Sequence, residues 1–222
     1  MTKKFSMSDD LKTSAKPVPQ HLIARYKNWK ADGFDAALYA ELATGQSPHS
    51  MVISCCDSRV NSTKFFNTES GDMFIHRNIA NVVPACDPNG AHHSTAAALE
   101  YAVTVLKVSH LIVIGHSACG GIKGGFHQCQ NTTSDDSFGS LQKWLHLLKP
   151  AYDRLDHDKP EDDQINDLEK LSVIVSLEHL MGYPFIREAV QNGTLSLHGL
   201  WHDIGSGELL SLNASDGEFI AL

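Results

Sequence analysis

Short apolar runs punctuate the chain: SMVISC (50–55), DMFIHRN (72–78), HLIVIG (110–115) and LSVIVSL (171–177). Each is bounded by polar residues or glycine and favours β-branched side chains, the pattern of strands covered on both faces of a parallel sheet. Between the second and third run the period lengthens. In HSTAAALEYAVTVLK (93–107), Leu99, Ala102, Val103 and Leu106 fall at i, i+3, i+4 and i+7, with Ser94 or Thr95 placed to cap a helix. The same spacing recurs in SLQKWLHLLK (140–149) through Leu141, Trp144, Leu145 and Leu148, and stops before Pro150. PFIREAVQNG (184–193) begins with proline in its first turn and ends at Gly193, as helices do. Ahead of all these, residues 19–45 carry Leu22, Ile23, Tyr26 and Trp29 at helical spacing and end at Gly45, which predicts one or two helices. The tail LSLHGLWHDIGSGELLSLNA (195–214) alternates around Gly205-Ser206-Gly207, which predicts a hairpin or an edge strand. Two polar stretches, 127–140 and 151–168, read as loops or weak helices.

Alternation of strand and helix predicts an α/β fold: a mainly parallel central β-sheet flanked by helices, with an N-terminal helical arm and a C-terminal edge strand or hairpin. Three segments follow from it: a mobile leader over 1–18, the arm over 19–45, and a single α/β domain over 46–222. The 222 residues suffice for one buried core. A net charge of −8 argues against nucleic acid or an anionic membrane as partner. The N-terminus has positive charge without an apolar core, so it does not read as an export signal, and no apolar run reaches membrane-spanning length. The expected location is cytoplasmic. In a reducing compartment, five cysteines point to metal or catalytic roles before disulfides.

Two stretches carry the chemistry. ISCCDSRV (53–60) and LIVIGHSACGG (111–121) each follow a predicted strand directly, and ligands of open parallel sheets sit at that carboxyl edge. Extended backbone alternates, so Cys55, Asp57 and Arg59 share one side while Cys56 points to the other. His116 and Cys119 are three residues apart, a spacing that lets one turn present both to a single ion. Gly120 and Gly121 permit close backbone approach and open a helix N-terminus. Cys55, His116 and Cys119 make a Cys₂His set, and three protein ligands rather than four are the mark of a catalytic zinc with one position left for water.

At these residues the sequence resembles the β-class carbonic anhydrases. GQSP, CCDSRV, GDMFIHRNIAN, ALEYAV, GHSACGGIKG and YPFIREAV look like segments of that family in the family's order, across nearly all of 40–215. The resemblance implies one Zn²⁺ per chain on Cys55, His116 and Cys119, and reversible hydration of CO₂ to bicarbonate and a proton by zinc-bound hydroxide. Asp57 and Arg59 would be the catalytic dyad orienting that hydroxide. The plant-type branch is most similar: Gln46, Phe74, Ile79 and Tyr101 fall on its substrate-pocket positions, with the Gly120 amide nearby. The bicarbonate-regulated branch carries tryptophan three residues before the first zinc cysteine, where this chain has Val52. Cys56 departs from the family's usual serine or alanine, and AHHST (91–95) is a second departure. Relatives pair as homodimers or dimer-based tetramers, which implies the same assembly here. Thirteen histidines leave the proton shuttle open, with His92 and His93 nearest the pocket helix. Two other functions fit the same residues: a zinc hydrolase of carbonyl sulfide or carbon disulfide, and a non-catalytic zinc or redox module in which Asp57 closes the site and Cys56 is the reactive thiol.

Overall fold

The computed structural model describes residues 5–87, 93–131 and 139–222. By their internal contacts these fall into two units, up to Gly45 and from Gln46 onward. In the first, α1 (Asp9–Ser14) is capped by the Ser8 hydroxyl, and α2 (Gln20–Asn28) runs on into a wider π turn at Trp29–Gly33. The Asp35 carboxylate then accepts the Ala37 and Leu38 N–H groups and starts α3 (Ala36–Leu42). Trp29, Phe34 and Tyr39 pack ring on ring, yet no residue of these helices is buried.

The second unit is built on a six-stranded sheet in the order β2-β1-β3-β4-β5-β6, where β1 is Ser50–Cys55, β2 Met73–Asn78, β3 His110–His116, β4 Ser196–His202, β5 Leu209–Leu212 and β6 Phe219–Ala221. The first four strands are mutually parallel, and β5 and β6 are antiparallel additions. The central strands β1 and β3 are buried almost throughout, as their unbroken apolar runs require. A short α4 (Ser62–Phe65) follows β1. Against one face of the sheet pack α5 (His93–Glu100), continued by a π turn at Tyr101–Val105, and the long α9 (Glu161–Leu180) with α10 (Pro184–Gln191). A second cluster around Phe126 joins α6 (Gly120–Asn131), α7 (Ser140–Leu145) and α8 (Lys149–Tyr152) to α9. No helix among the described residues is long and apolar enough to cross a membrane.

Four expectations need correction. Residues 171–177 are not a strand but the interior of α9. Its buried positions Ile165, Leu168, Ser172, Val173, Ser176 and Leu180 keep a period near 3.6. A first turn of Glu161, Asp162 and Asp163 suits a helix N-terminus. The β-branched run costs no more than about 0.7 kcal/mol per residue in helix propensity, which burial between two apolar clusters outweighs. The fourth parallel strand is β4 instead, and the hairpin expected over 195–214 forms with β4 as its first arm, turning at Gly207 with φ +79°. Ser94 and Thr95 do not cap α5 but lie inside its first turn, and buried Thr95 hydrogen-bonds His76 at 3.1 Å. The helical path through 140–149 also does not stop before Pro150. That proline sits in the first turn of α8, where its missing N–H has no partner to lose. Of the stretch 151–168, the second half forms the opening turns of α9, and within 127–140 residues 127–131 finish α6 while 132–138 lie outside the described residues.

Candidate active site

Parallel pairing of β1 with β3 puts both carboxyl ends on one edge, with Ser54 beside Ile114. Cys55 is the last residue of β1 and His116 the last of β3. The chain then turns through Ala118 at φ +54°, a left-handed conformation uncommon for alanine, and delivers Cys119 immediately before α6. The three donor atoms lie within 4.8 Å of one another, and all three residues are buried.

Two details test whether a zinc ion suits this cluster. The sulfurs of Cys55 and Cys119 are 3.9 Å apart, and two thiolates at ~2.3 Å from one tetrahedral ion would be about 3.8 Å apart. His116 Nδ1 donates to the Ser117 carbonyl at 3.0 Å, which leaves Nε2 as the bare lone pair, buried and without a hydrogen-bond partner. An orphaned buried nitrogen facing two thiols is what a metal ligand looks like without its ion. The residues fit zinc. Of the two thiols, Cys55 is held toward thiolate, chiefly by the Cys119 hydrogen bond and with help from the Asp57 N–H at 3.4 Å.

Asp57 and Arg59 stand beside the cluster as a bidentate pair. Arg59 Nε donates to Asp57 Oδ1 at 2.9 Å and Nη2 to Oδ2 at 2.6 Å, and the Arg59 backbone N–H adds a third bond at 2.9 Å. The guanidinium holds the Asp57 carboxyl well below the usual carboxylate range. Arg59 also reaches across to the Ala118 carbonyl at 3.0 Å, tying the Cys55 loop to the Cys119 loop. Cys56, the first residue beyond β1, is exposed while Cys55 is buried.

Of the expected pocket residues, Ile79 and Gly120 reach this edge. Gly120 opens α6 and lines a cleft of roughly 680 Å³ with Arg59, Cys119, Lys123, Glu169 and Asp203. Ile79 lies against the next residue: a Cβ on Gly121 would meet its Cγ2 at 2.8 Å. Phe74 and Tyr101 contact each other, with ring centroids 5.8 Å apart, but elsewhere. Register pairs Phe74 with Met51 and Asn78 with Cys55, so Phe74 lies four residues, about 13 Å, up-strand of the cluster. Gln46 is exposed in the segment leading into β1, on the sheet's opposite edge. His93 stands exposed at the start of α5, and His92 lies outside the described residues.

Three supports escaped the sequence reading. Buried Glu169 on α9 accepts the Cys119 N–H at 3.0 Å, its carboxyl pushed up by burial. Arg77 braces the Cys55 loop from β2 through the carbonyls of Cys55, Asp57 and Val60. Ser117 donates to Asp203 at 2.7 Å, linking the turn after β3 to the β4–β5 hairpin. Each partnership spans a long sequence separation and leaves no local motif.

Comparison with known proteins agrees with this geometry. A family model for carbonic anhydrase matches residues 50–209. The chain is 35% identical over 204 residues to β carbonic anhydrase 3 of Arabidopsis thaliana, covering 90% of this chain and 78% of that one. Among solved structures, the β-carbonic anhydrase CcaA superposes with a TM-score of 0.83 at 29% identity, over 91% of this chain and 98% of that one. A tetrameric β-carbonic anhydrase of Sordaria macrospora gives 0.69 at 35% identity, over 88% and 93%. With the Cys₂His cluster at the strand ends and the family match running through both of its loops, the chain belongs to the β-carbonic anhydrases.

Proposed function

We propose that Cys55, His116 and Cys119 hold one zinc ion and that the chain hydrates CO₂ reversibly, releasing bicarbonate and a proton. A zinc ion bound there supplies Lewis acidity, which makes solvent water nucleophilic near neutral pH. Asp57, kept ionised by Arg59, accepts a hydrogen bond from the attacking water and so fixes its orientation. Ile79 offers an apolar wall for a small, uncharged substrate. The Gly120 N–H, at the start of the twelve-residue α6, donates to a CO₂ oxygen as negative charge grows on it. The observation that carries this reading is the unpartnered His116 Nε2 converging with two thiols beside an open cleft. Both Asp57 oxygens are engaged by Arg59, which argues against a closed four-ligand module in which Asp57 binds the metal.

Gln46, Phe74 and Tyr101 fit the pocket as contributions from a second copy. Tyr101 is 43% exposed, and β2 is an edge strand with Ile75 exposed. Such a surface suits a homodimer, or a dimer-based tetramer like the Sordaria macrospora relative.

Stopped-flow hydration of CO₂ from pH 6 to 9 on metal-analysed protein tests the proposal. The expected result is one zinc per chain, turnover that vanishes on chelation and returns with zinc, and rates on CO₂ exceeding those on carbonyl sulfide or carbon disulfide. Zinc-loaded protein without turnover at any of these pH values would refute it.

A further inference from the structure

At the opposite end of the sheet two histidines converge. His110 opens β3 and His198 lies in β4, where register pairs His110 with Ser196 and Ile112 with His198. The two side chains therefore project from the same face of adjacent parallel strands, on a diagonal. His110 Nδ1 and His198 Nε2 are 3.1 Å apart, with ring centroids separated by 5.2 Å and planes inclined at 48°. Nitrogens that close either share one proton or face one cation. Two imidazole nitrogens bound to an ion at ~2.0–2.1 Å lie about 3.0–3.4 Å apart, so the pair already has the separation of two ligands and needs only small ring rotations to converge on one ion. The strands are stiff here: Leu111 and Val113, between the rings and the metal cluster, are fully buried.

We propose that His110 and His198 form a second metal site, for a divalent late-transition ion of the zinc or nickel type. Imidazole donors select such ions over magnesium or calcium, which require oxygen ligands. Burial keeps His198 below the usual histidine range, which favours the neutral imidazole that ligates a metal. Among the described residues, the Cys55 cluster is the one group of three or more such donors, so solvent completes the coordination at His110 and His198. That makes the site exchangeable rather than structural. From His110 to His116 is six residues of strand, about 20 Å, so occupancy here leaves the Cys₂His cluster alone.

Equilibrium dialysis of the zinc-loaded enzyme against Ni²⁺, with both metals measured, tests the site. One Ni²⁺ per chain should bind above an unchanged zinc content. In His110→Asn and in His198→Asn, nickel affinity should fall by more than about tenfold, since even a supporting partner of a metal ligand is worth that much. Zinc content and CO₂ hydration should stay at parental values, which separates failure here from failure of the catalytic reading. In the unaltered protein, Ni²⁺ should broaden the His110 and His198 ring resonances first. No nickel uptake, uptake indifferent to both substitutions, or broadening confined to other histidines would each overturn the site and leave a shared proton between the rings.

Discussion

The guanidinium of Arg59 makes three side-chain hydrogen bonds, two to Asp57 and one to the Ala118 carbonyl. A lysine ammonium carries its three donors on one rotating nitrogen and cannot reproduce that planar fork, so the pair is worth more as a positioning device than as an ion pair. Its solvent-facing side contributes little stability. Because the Asp57 carboxyl is depressed, it is ionised throughout any assay near neutrality, and its protonation would matter only as pH falls below the ordinary carboxylate range. Asp57→Asn should lower CO₂ turnover by about 10²-fold or more, the scale for losing a positioned proton acceptor. Zinc should stay at one per chain, and no inflection assignable to Asp57 should appear between pH 6 and 9 in the parent profile. Glu169 plays a different part, since it answers the Cys119 N–H from within the core. In Glu169→Leu that buried donor is stranded, at a cost of about 1–3 kcal/mol in urea unfolding. Glu169→Gln keeps an acceptor and should recover most of the loss.

Elements differ in how plainly their residues announce them. The strands β1 and β3 were legible because a buried parallel strand needs an apolar run of its own length, whereas β2, an edge strand with no fully buried residue, showed through its apolar start Met73-Phe74-Ile75. Their ends carry the metal donors, so most of the candidate site was legible with them. Helix α9 was not: Gln164, Glu169, Ser172 and Ser176 fill its buried stripe and mask the period, leaving LSVIVSL to imitate a strand. Strand β4 was read as part of a terminal hairpin because nothing in its sequence says that its other edge pairs with β3. Glu169 and Asp203 were illegible because their partners are 50 and 86 residues away. The start of α6 gives a test at this scale. A Cβ on Gly121 would meet Ile79 at 2.8 Å and the Ala80 Cβ at 3.1 Å, whereas a Cβ on Gly120 meets nothing within 4 Å. Gly121→Ala should therefore destabilise by about 1–3 kcal/mol through overpacking. Gly120→Ala should leave the unfolding midpoint within experimental scatter or slightly higher, as alanine is the better helix former.

For the molecule as a whole, what matters is the apolar surface that one chain leaves uncovered. Leu22, Tyr26 and Trp29 of the N-terminal unit, and Ile75, Tyr101 and Val105 of the second, are all exposed. Exposed apolar side chains of this kind would suit contact with a second copy of the chain. If Phe74 and Tyr101 serve the metal cluster of a second copy, a site is an assembly of two chains, and two differently crippled chains can restore each other. Asp57→Asn disables the side of the site that carries the metal donors and leaves the chain's own Tyr101 intact; Tyr101→Ala does the reverse. Mixed after dissociation and reassembly, a heterodimer of the two holds one complete site, formed from the Asp57 of one chain and the Tyr101 of the other. Random pairing in equal amounts makes half the dimers mixed, so turnover should recover to about a quarter of the parental value per chain. Were each pocket built within a single chain, every combination would lack one component and mixing would recover nothing. Stopped-flow rates before and after reassembly, with sedimentation velocity confirming that pairs have formed, decide between the two arrangements.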